Sequence, residues 1–337
     1  MRKNVYNLKG IGIMVMVALF TCNLNAQDAR ITQSFYASPL KVNPAIMGMN
    51  THLKAILNYR SQWGIVDEGY STGSFTLLYP LYMKEGKQKL DIGINTMNDK
   101  SAIFSTMDYS LALGYTLKLS DAGFMSLSLM GGYIQKSIDA SNLNFDDQYV
   151  MGSFDASNPT NANIASENVG YPDVGFGMMW FFNSSRQFAS RMNLYAGVSG
   201  YHLNEPNETM VGGSGKLPKK VSFQAGFKVL GANQIDFSPN FSVSTQGGAE
   251  DFAAGLYIDY NMSESAKIIF GSWYRKNDGY AALLAFEHQR FMVGYSYDIT
   301  TSEIGKYISG LNTHEITLTY KMNIAEKKGI ETGKSMF

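Results

Sequence analysis

From Thr51 to Asn323 the chain repeatedly alternates apolar and polar residues with a period of two. Few folds satisfy that pattern so many times over. In "THLKAILNYRSQW" (Thr51–Trp63), Leu53, Ala55, Leu57, Tyr59 and Trp63 share one face, and His52, Lys54, Asn58, Arg60 and Gln62 the other. "DYSLALGYTLKL" sets Tyr109, Leu111, Leu113, Tyr115 and Leu117 against Asp108, Ser110, Ala112, Gly114, Thr116 and Lys118. "FMVGYSYDITT" sets Phe291, Val293, Tyr295, Tyr297 and Ile299 against Met292, Gly294, Ser296, Asp298 and Thr300. "HEITLTYKMN" sets Ile316, Leu318, Tyr320 and Met322 against Glu315, Thr317, Thr319, Lys321 and Asn323. Strand side chains point alternately to the two faces of a sheet, so each stretch reads as a strand with one apolar face.

Carried along the chain, the pattern places strands near 51–63, 70–81, 88–98, 104–119, 123–139, 171–182, 191–204, 219–230, 234–247, 251–262, 267–277, 280–288, 290–302 and 313–324, fourteen in all. Two architectures hold so many strands of this kind: a soluble all-β protein and a transmembrane barrel. The connections separate them. With the N-terminus in the periplasm, odd-numbered connections lie outside the cell. The longest, 140–170, 205–218 and 303–312, are the fifth, seventh and thirteenth. Even connections are short, as in "KEGK" (84–87), "SDAG" (120–123), "GAN" (231–233) and "SESA" (263–266). Long loops outside and short turns inside are the outer-membrane pattern, and a soluble sandwich has no cause to show it. The expected fold is an all-β transmembrane antiparallel β-barrel of about 14 strands over 51–324, in a bacterial outer membrane with both termini periplasmic.

Composition agrees with this. The chain holds 33 Gly, 21 Tyr and 20 Phe, and only 17% of it is charged. Tyrosine and tryptophan near strand ends suit membrane-interface girdles. The longest later apolar run, "FGMMWFF" (Phe176–Phe182), is far short of the ~18 residues that a spanning helix needs. Ahead of the strands, Arg2, Lys3 and Lys9 precede an apolar Gly10–Phe20, and Ala26 supplies a small residue for cleavage. Residues 1–26 are expected to be a secretory signal peptide. Lipidation at Cys22 is the alternative, and Phe20-Thr21 before it makes a poor attachment box. Cleavage takes away three basic residues and the sole cysteine. The mature chain would then have no basic surplus for a nucleic acid, no disulfide and no thiolate metal site.

Chemistry-bearing constellations are sparse. His52, His202, His288 and His314 show no zinc-ligand spacing. His202 has Glu205 nearby at a strand end, and Ser296 and His314 fall on neighbouring strands, the nearest approach to a hydrolase site. "NFDDQY" offers Asp146 and Asp147 to Ca²⁺ without further oxygen ligands at fixed spacing. "VGGSGKLPKK" (Val211–Lys220) lacks the first glycine of a phosphate-binding loop and has Leu217 where Ser or Thr belongs. No enzyme activity and no cofactor are expected. Lys54, Arg60, Asp298 and Glu315 fall on the lumen face, and closure brings the first and last strands together. Charges there must pair or stay wet. They form a structural seam on the plainer reading and a substrate-selective pore on the other.

The stretch "QSFYASPLKVNPAIMG" (Gln33–Gly48) fits neither strand nor helix. Pro39 and Pro44 remove ladder donors and push the residues before them extended. It is expected to be an extended plug within a segment 27–50. Tyr36, Leu40 and Val42 would pack inside the barrel base, and Asn43-Pro44 would turn the chain into the first strand.

Several ordered blocks carry a resemblance. They are "SFYASPLKVNPAIMG" with Asn43-Pro44-Ala45 and Gly48, "NYRSQW" (Asn58–Trp63), "GGYIQKSIDASNLNFDDQY" (Gly131–Tyr149), "YPDVGFGMMW" (Tyr171–Trp180), "YAGVSGYHLNEPNET" (Tyr195–Thr209), "GYSYDITTSEI" (Gly294–Ile304) and "HEITLTY" (His314–Tyr320). Through them nearly the whole mature chain resembles the PorP/SprF family of the type IX secretion and gliding system of Bacteroidetes. One departure is the charged tail, 325–337, where barrel chains often end on the aromatic residue of their last strand. The resemblance implies a non-enzymatic barrel that anchors or delivers a secreted cell-surface adhesin, by binding its C-terminal domain, and contacts periplasmic secretion components as well as outer-membrane lipid. The loop residues expected to meet that partner are Asp146, Asp147, Gln148, Tyr149, His202, Glu205, Pro206 and Asn207. The alternative is an outer-membrane channel or small-molecule transporter.

Overall fold

The computed structural model describes residues 34–64, 69–83, 88–138, 146–150, 153–155, 157–158, 168–183, 192–210, 213–231, 234–302 and 312–324. The expected signal peptide and C-terminal tail lie outside the described residues. Fourteen strands close into an antiparallel barrel. They are β1 (Leu53–Gln62), β2 (Tyr70–Tyr82), β3 (Gln88–Ser101), β4 (Phe104–Lys118), β5 (Gly123–Ile138), β8 (Asn168–Asn183), β9 (Met192–Tyr201), β10 (Lys220–Leu230), β11 (Ile235–Gln246), β12 (Ala249–Asn261), β13 (Ala266–Arg275), β14 (Gly279–His288), β15 (Phe291–Thr300) and β16 (Asn312–Met322). A small separate hairpin, β6 (Tyr149–Val150) and β7 (Ser153–Phe154), stands between β5 and β8 in the chain, and those two barrel strands pair with each other. β1 pairs with β16 and closes the ring. Each expected strand is present, its ends displaced by at most three residues.

The alternation becomes an inverted burial pattern. Outward-facing Leu57, Leu129, Leu284 and Ile316 are 53%, 70%, 52% and 54% exposed. Inward-facing Thr76, Asn95, Thr116, Ser126, Ser296 and Thr317 are buried. A soluble monomer does not present so much contiguous apolar surface, and lipid is the solvent that suits it. Outward aromatics band both ends. Tyr59, Tyr109, Tyr133, Tyr274 and Tyr280 mark the end away from the chain termini, here the distal end. Trp180, Tyr260 and Phe291 mark the terminal end, where Phe291 lies 5.1 Å from Tyr320. Among the described residues no helix is long and apolar enough to cross a membrane.

Strand length makes the rim uneven. β4, β5 and β8 have 15, 16 and 16 residues, whereas β13, β14 and β15 have 10 each. Pairing of β8 with β9 stops at Phe176↔Gly200, so Asn168–Gly175 rises past its neighbour on that side.

The N-terminal segment corrects one expectation. It is helical, not extended: α1 (Ser34–Ala37), α2 (Pro39–Val42) and a 3-10 helix over Pro44–Met49. Pro39 and Pro44 each stand in a first helical turn, where an N–H would have no partner anyway and a fixed φ helps. Asn43 does not turn the chain into β1. Its side chain accepts from Ala45 N at 2.9 Å and starts the 3-10 helix, which ends at Asn50, before β1.

Candidate functional site: the lumen and the distal rim

The segment sits among inward-facing side chains. Tyr36, Leu40, Ala45, Ile46, Met47 and Met49 are buried, and Val42 packs at the margin of that cluster. Its anchors run from the distal half down to the terminal end. Lys41 forms an ion pair with Asp108 on β4. Tyr201 on β9 donates to Leu40 O at 2.7 Å, and Ser199 to Val42 O at 2.8 Å. Gln224 on β10 donates to Val42 O at 3.0 Å and accepts from Asn43 Nδ2 at 3.1 Å. Asn43 also donates to Met178 O and Val198 O, at 3.2 and 3.1 Å. Lower down, the fully buried Lys89 donates to Met47 O, Gly48 O and Asn50 O at 3.2, 2.8 and 2.6 Å. Asp91 beside it, 3.0 Å away, balances the charge and accepts from Thr116.

Two glycines explain how closely this fits. A Cβ on Gly177 would stand 2.3 Å from Asn43 Oδ1 and 2.8 Å from Ala45 N. A Cβ on Gly48 would stand 2.4 Å from Ser126 Cβ on the wall. Asn43-Pro44-Ala45 and Gly48 are thus shaped against the barrel from both sides. Sequence reasoning missed Lys89, Asp91, Ser199, Tyr201 and Gln224. A signal for the first two existed, since Lys89 and Asp91 share one strand face two residues apart.

The lumen charges form two belts. Near the distal end Arg60 and Glu315 are directly opposite in the β1–β16 register, with Arg60 Nε 3.8 Å from Glu315 Oε2. Arg60 Nη2 lies 3.8 Å from Asp298, which Arg275 reaches at 2.8 Å, and Asn58 donates to Glu315 at 2.8 Å. At the terminal end Lys228, Asp236, Asp259, Lys267, Glu287, Lys321 and Lys54 face inward from β10 to β1. Lys54 therefore belongs to a different belt from Arg60, Asp298 and Glu315.

At the distal rim, the chain after β9 folds back over β8. His202 Nδ1 lies 2.9 Å from Asp173 Oδ1, with both side chains buried. His202 and Glu205 adopt positive φ, +55° and +44°, and carry the chain through a tight turn. Leu203 N donates to Val174 O at 3.0 Å, Val174 N donates to Asn204 Oδ1 at 3.2 Å, and Asn204 Nδ2 donates to Pro172 O at 2.7 Å. Pro172 has no N–H to offer. The turn therefore occupies groups on the strand edge that β9 leaves. Beyond it, Leu217 packs inward on Ile134 and Tyr171, and Glu208 pairs with Lys136 and accepts from Tyr171 at 3.2 Å.

The expected partner residues thus divide. His202 and Pro206 are buried in the rim, and Gln148 is 8% exposed and donates to Asn158 O, so these side chains are not presented to a surface partner. Glu205, Asn207, Asp146 and Tyr149 are exposed. The side chain of Asp147 lies outside the described residues. Near β7, Asp155 accepts from the hydroxyl and the amide of Ser157, which hold its carboxyl below the usual range. The hydrolase pair is not assembled: Ser296 faces the lumen, and His314 faces outward, 2.8 Å from Tyr295 OH. His202 pairs with Asp173 and not with Glu205. Among the described residues no group of three or more His, Cys, Asp or Glu is placed to hold a metal.

The barrel is similar to solved outer-membrane channels in fold. The Pseudomonas putida toluene transporter TodX matches with a TM-score of 0.56 and 7% identity, over 89% of this chain and 96% of that one. The Ralstonia pickettii toluene transporter TbuX matches with a TM-score of 0.52 and 9% identity, over 85% and 93%. No curated protein sequence matches. A family model described as "Type IX secretion system membrane protein PorP/SprF" matches residues 23–320. With its closed antiparallel barrel and outward apolar belt, the chain belongs to the PorP/SprF family of type IX secretion system membrane proteins.

Proposed function

We propose that this barrel is a closed outer-membrane anchor that holds or delivers a secreted adhesin by its C-terminal domain, with both termini and the base of the N-terminal segment on the periplasmic side. The observation that carries the reading is the way the two ends differ. The terminal end receives a segment fastened by Lys89, Asn43 and Gln224. The distal end carries the tall β4–β5–β8 wall and an ordered rim that presents Glu205, Asn207, Asp146 and Tyr149. A docking platform needs a fixed, shaped rim and no open path through its floor. The exposed Tyr149–Phe154 pair, 5.4 Å between ring centres, offers a partner an aromatic contact beside the acidic Asp146.

Co-purification from native membranes in mild detergent tests this. The cognate adhesin should remain bound to the wild-type barrel and be lost from the surface when the gene is deleted. Normal display without the gene would sink the reading. The similarity to toluene transporters favours the second reading, a small-molecule channel, which requires steady conductance in planar bilayers.

A further inference from the structure

We infer that the terminal-end mouth of the lumen holds a binding site for an anionic oxygen group, carboxylate or phosphate, with Lys54 as its principal cation. The observation is a charge belt that ends one acid short. Along the lumen face, Asp236 lies 3.8 Å from Lys228, and Lys228 lies 2.6 Å from Asp259. Asp259 is 3.7 Å from Lys267, Lys267 is 3.4 Å from Glu287, and Glu287 is 2.9 Å from Lys321. Acid and base alternate along this chain of contacts, although Asp236 and Asp259 face each other in the β11–β12 register and β15 adds no charge to it. Lys54 then follows Lys321 directly, opposite it in the β1–β16 register, with both on the inward face.

Two like charges opposite each other across a strand pair repel, and three carboxylates are left to balance four ammonium groups. Each carboxylate of the belt is already engaged by a lysine other than Lys54. On its other side Lys54 meets Leu78 in register, which supplies no acid. Lys89 farther round is balanced by Asp91 and spent on the N-terminal segment. No ion pair or hydrogen bond is made by the Lys54 ammonium among the described residues. Lys54 stands second in β1, at the terminal end of the lumen, and is partly buried there. A half-desolvated cation next to a second one is stabilised by an oxyanion that bridges both. Lipid headgroups are not the source, because the site faces the lumen and not the membrane.

Thermal unfolding of the purified full-length protein in detergent tests this, with sodium phosphate or sodium acetate replacing chloride at constant ionic strength. Wild type should gain about 2–4 °C in Tm as the oxyanion saturates the site. A response to phosphate alone identifies a phosphate group as ligand, and one to acetate a carboxylate. Lys54→Met should abolish the response. Lys54→Glu should also abolish it, yet unfold no lower than anion-free wild type, because its carboxylate completes the belt beside Lys321. Should Lys54→Met fail to assemble, Lys54→Gln serves in its place. No response in wild type to either anion, or an equal response in the Lys54 variants, would overturn the inference.

Discussion

The two sides of the lumen are filled in opposite ways. Along β3–β10 the wall is lined with glycine and small polar side chains, such as Gly93, Gly177, Ser126 and Ser199, and the N-terminal segment supplies the bulk. Along β12–β15 the wall fills itself. Tyr257 and Trp273 are buried with ring centres 5.8 Å apart, among Ala253, Ile269, Ala281, Leu283 and Met292. There the glycines serve the wall's own aromatics: a Cβ on Gly255 would lie 2.2 Å from Trp273, and one on Gly271 would lie 2.9 Å from Tyr257. Tyr36 meets Tyr257 edge-on at 4.8 Å, and there the two fillings touch. A barrel of this size is wider than one that wall side chains alone fill. One wall has become a seat and the other a buttress.

Substitutions in the two walls should therefore have different consequences. Lys89→Met is expected to have the largest effect, about 3–5 kcal/mol, because it leaves Asp91 buried without its cation and frees three carbonyls of the segment. Reduced unfolding temperature together with new protease cleavage near residues 34–50 is the expected result. Trp273→Ala should cost a comparable ~3–5 kcal/mol as a cavity in the buttress. It should leave the segment protected from protease, and cleavage there would erase the distinction between the walls. Asn43→Ala removes the helix cap and the two amide hydrogens shared among Met178 O, Val198 O and Gln224 Oε1, for about 2–3 kcal/mol, with the segment loosened. Gly177→Ala should cost about 1–3 kcal/mol by overpacking against Asn43 and Ala45. The smallest effect belongs to the rim. Asn204→Ala should cost about 1 kcal/mol and speed hydrogen exchange at the Val174 amide without touching the segment.

Much of this was legible in the chain. A period of two is a local property, so the fourteen strands and their inward and outward faces could be read from one end to the other. Arg60 and Glu315 could be matched because closure must join the first strand to the last. The helical form of 34–49 has its own signal in the sequence, beside the one for an extended chain. Ser38-Pro39 and Asn43-Pro44 each place proline just after a capping residue type, a helix-start signal as well as a strand breaker. Gln224 on Asn43, and Asn204 on Pro172 and Val174, could not be read. They depend on how elements far apart in the chain approach, and no local pattern encodes that. The same limit hid the burial of His202, whose partner Asp173 lies across a strand boundary.

Single-channel recording in planar bilayers tests most directly whether the fastened N-terminal segment closes this barrel. Wild-type protein should remain silent across a range of voltages, while Lys89→Met or Asn43→Ala should show intermittent openings as the segment loosens. Steady conductance in wild type, unchanged by either substitution, would contradict a closed anchor and favour an open channel.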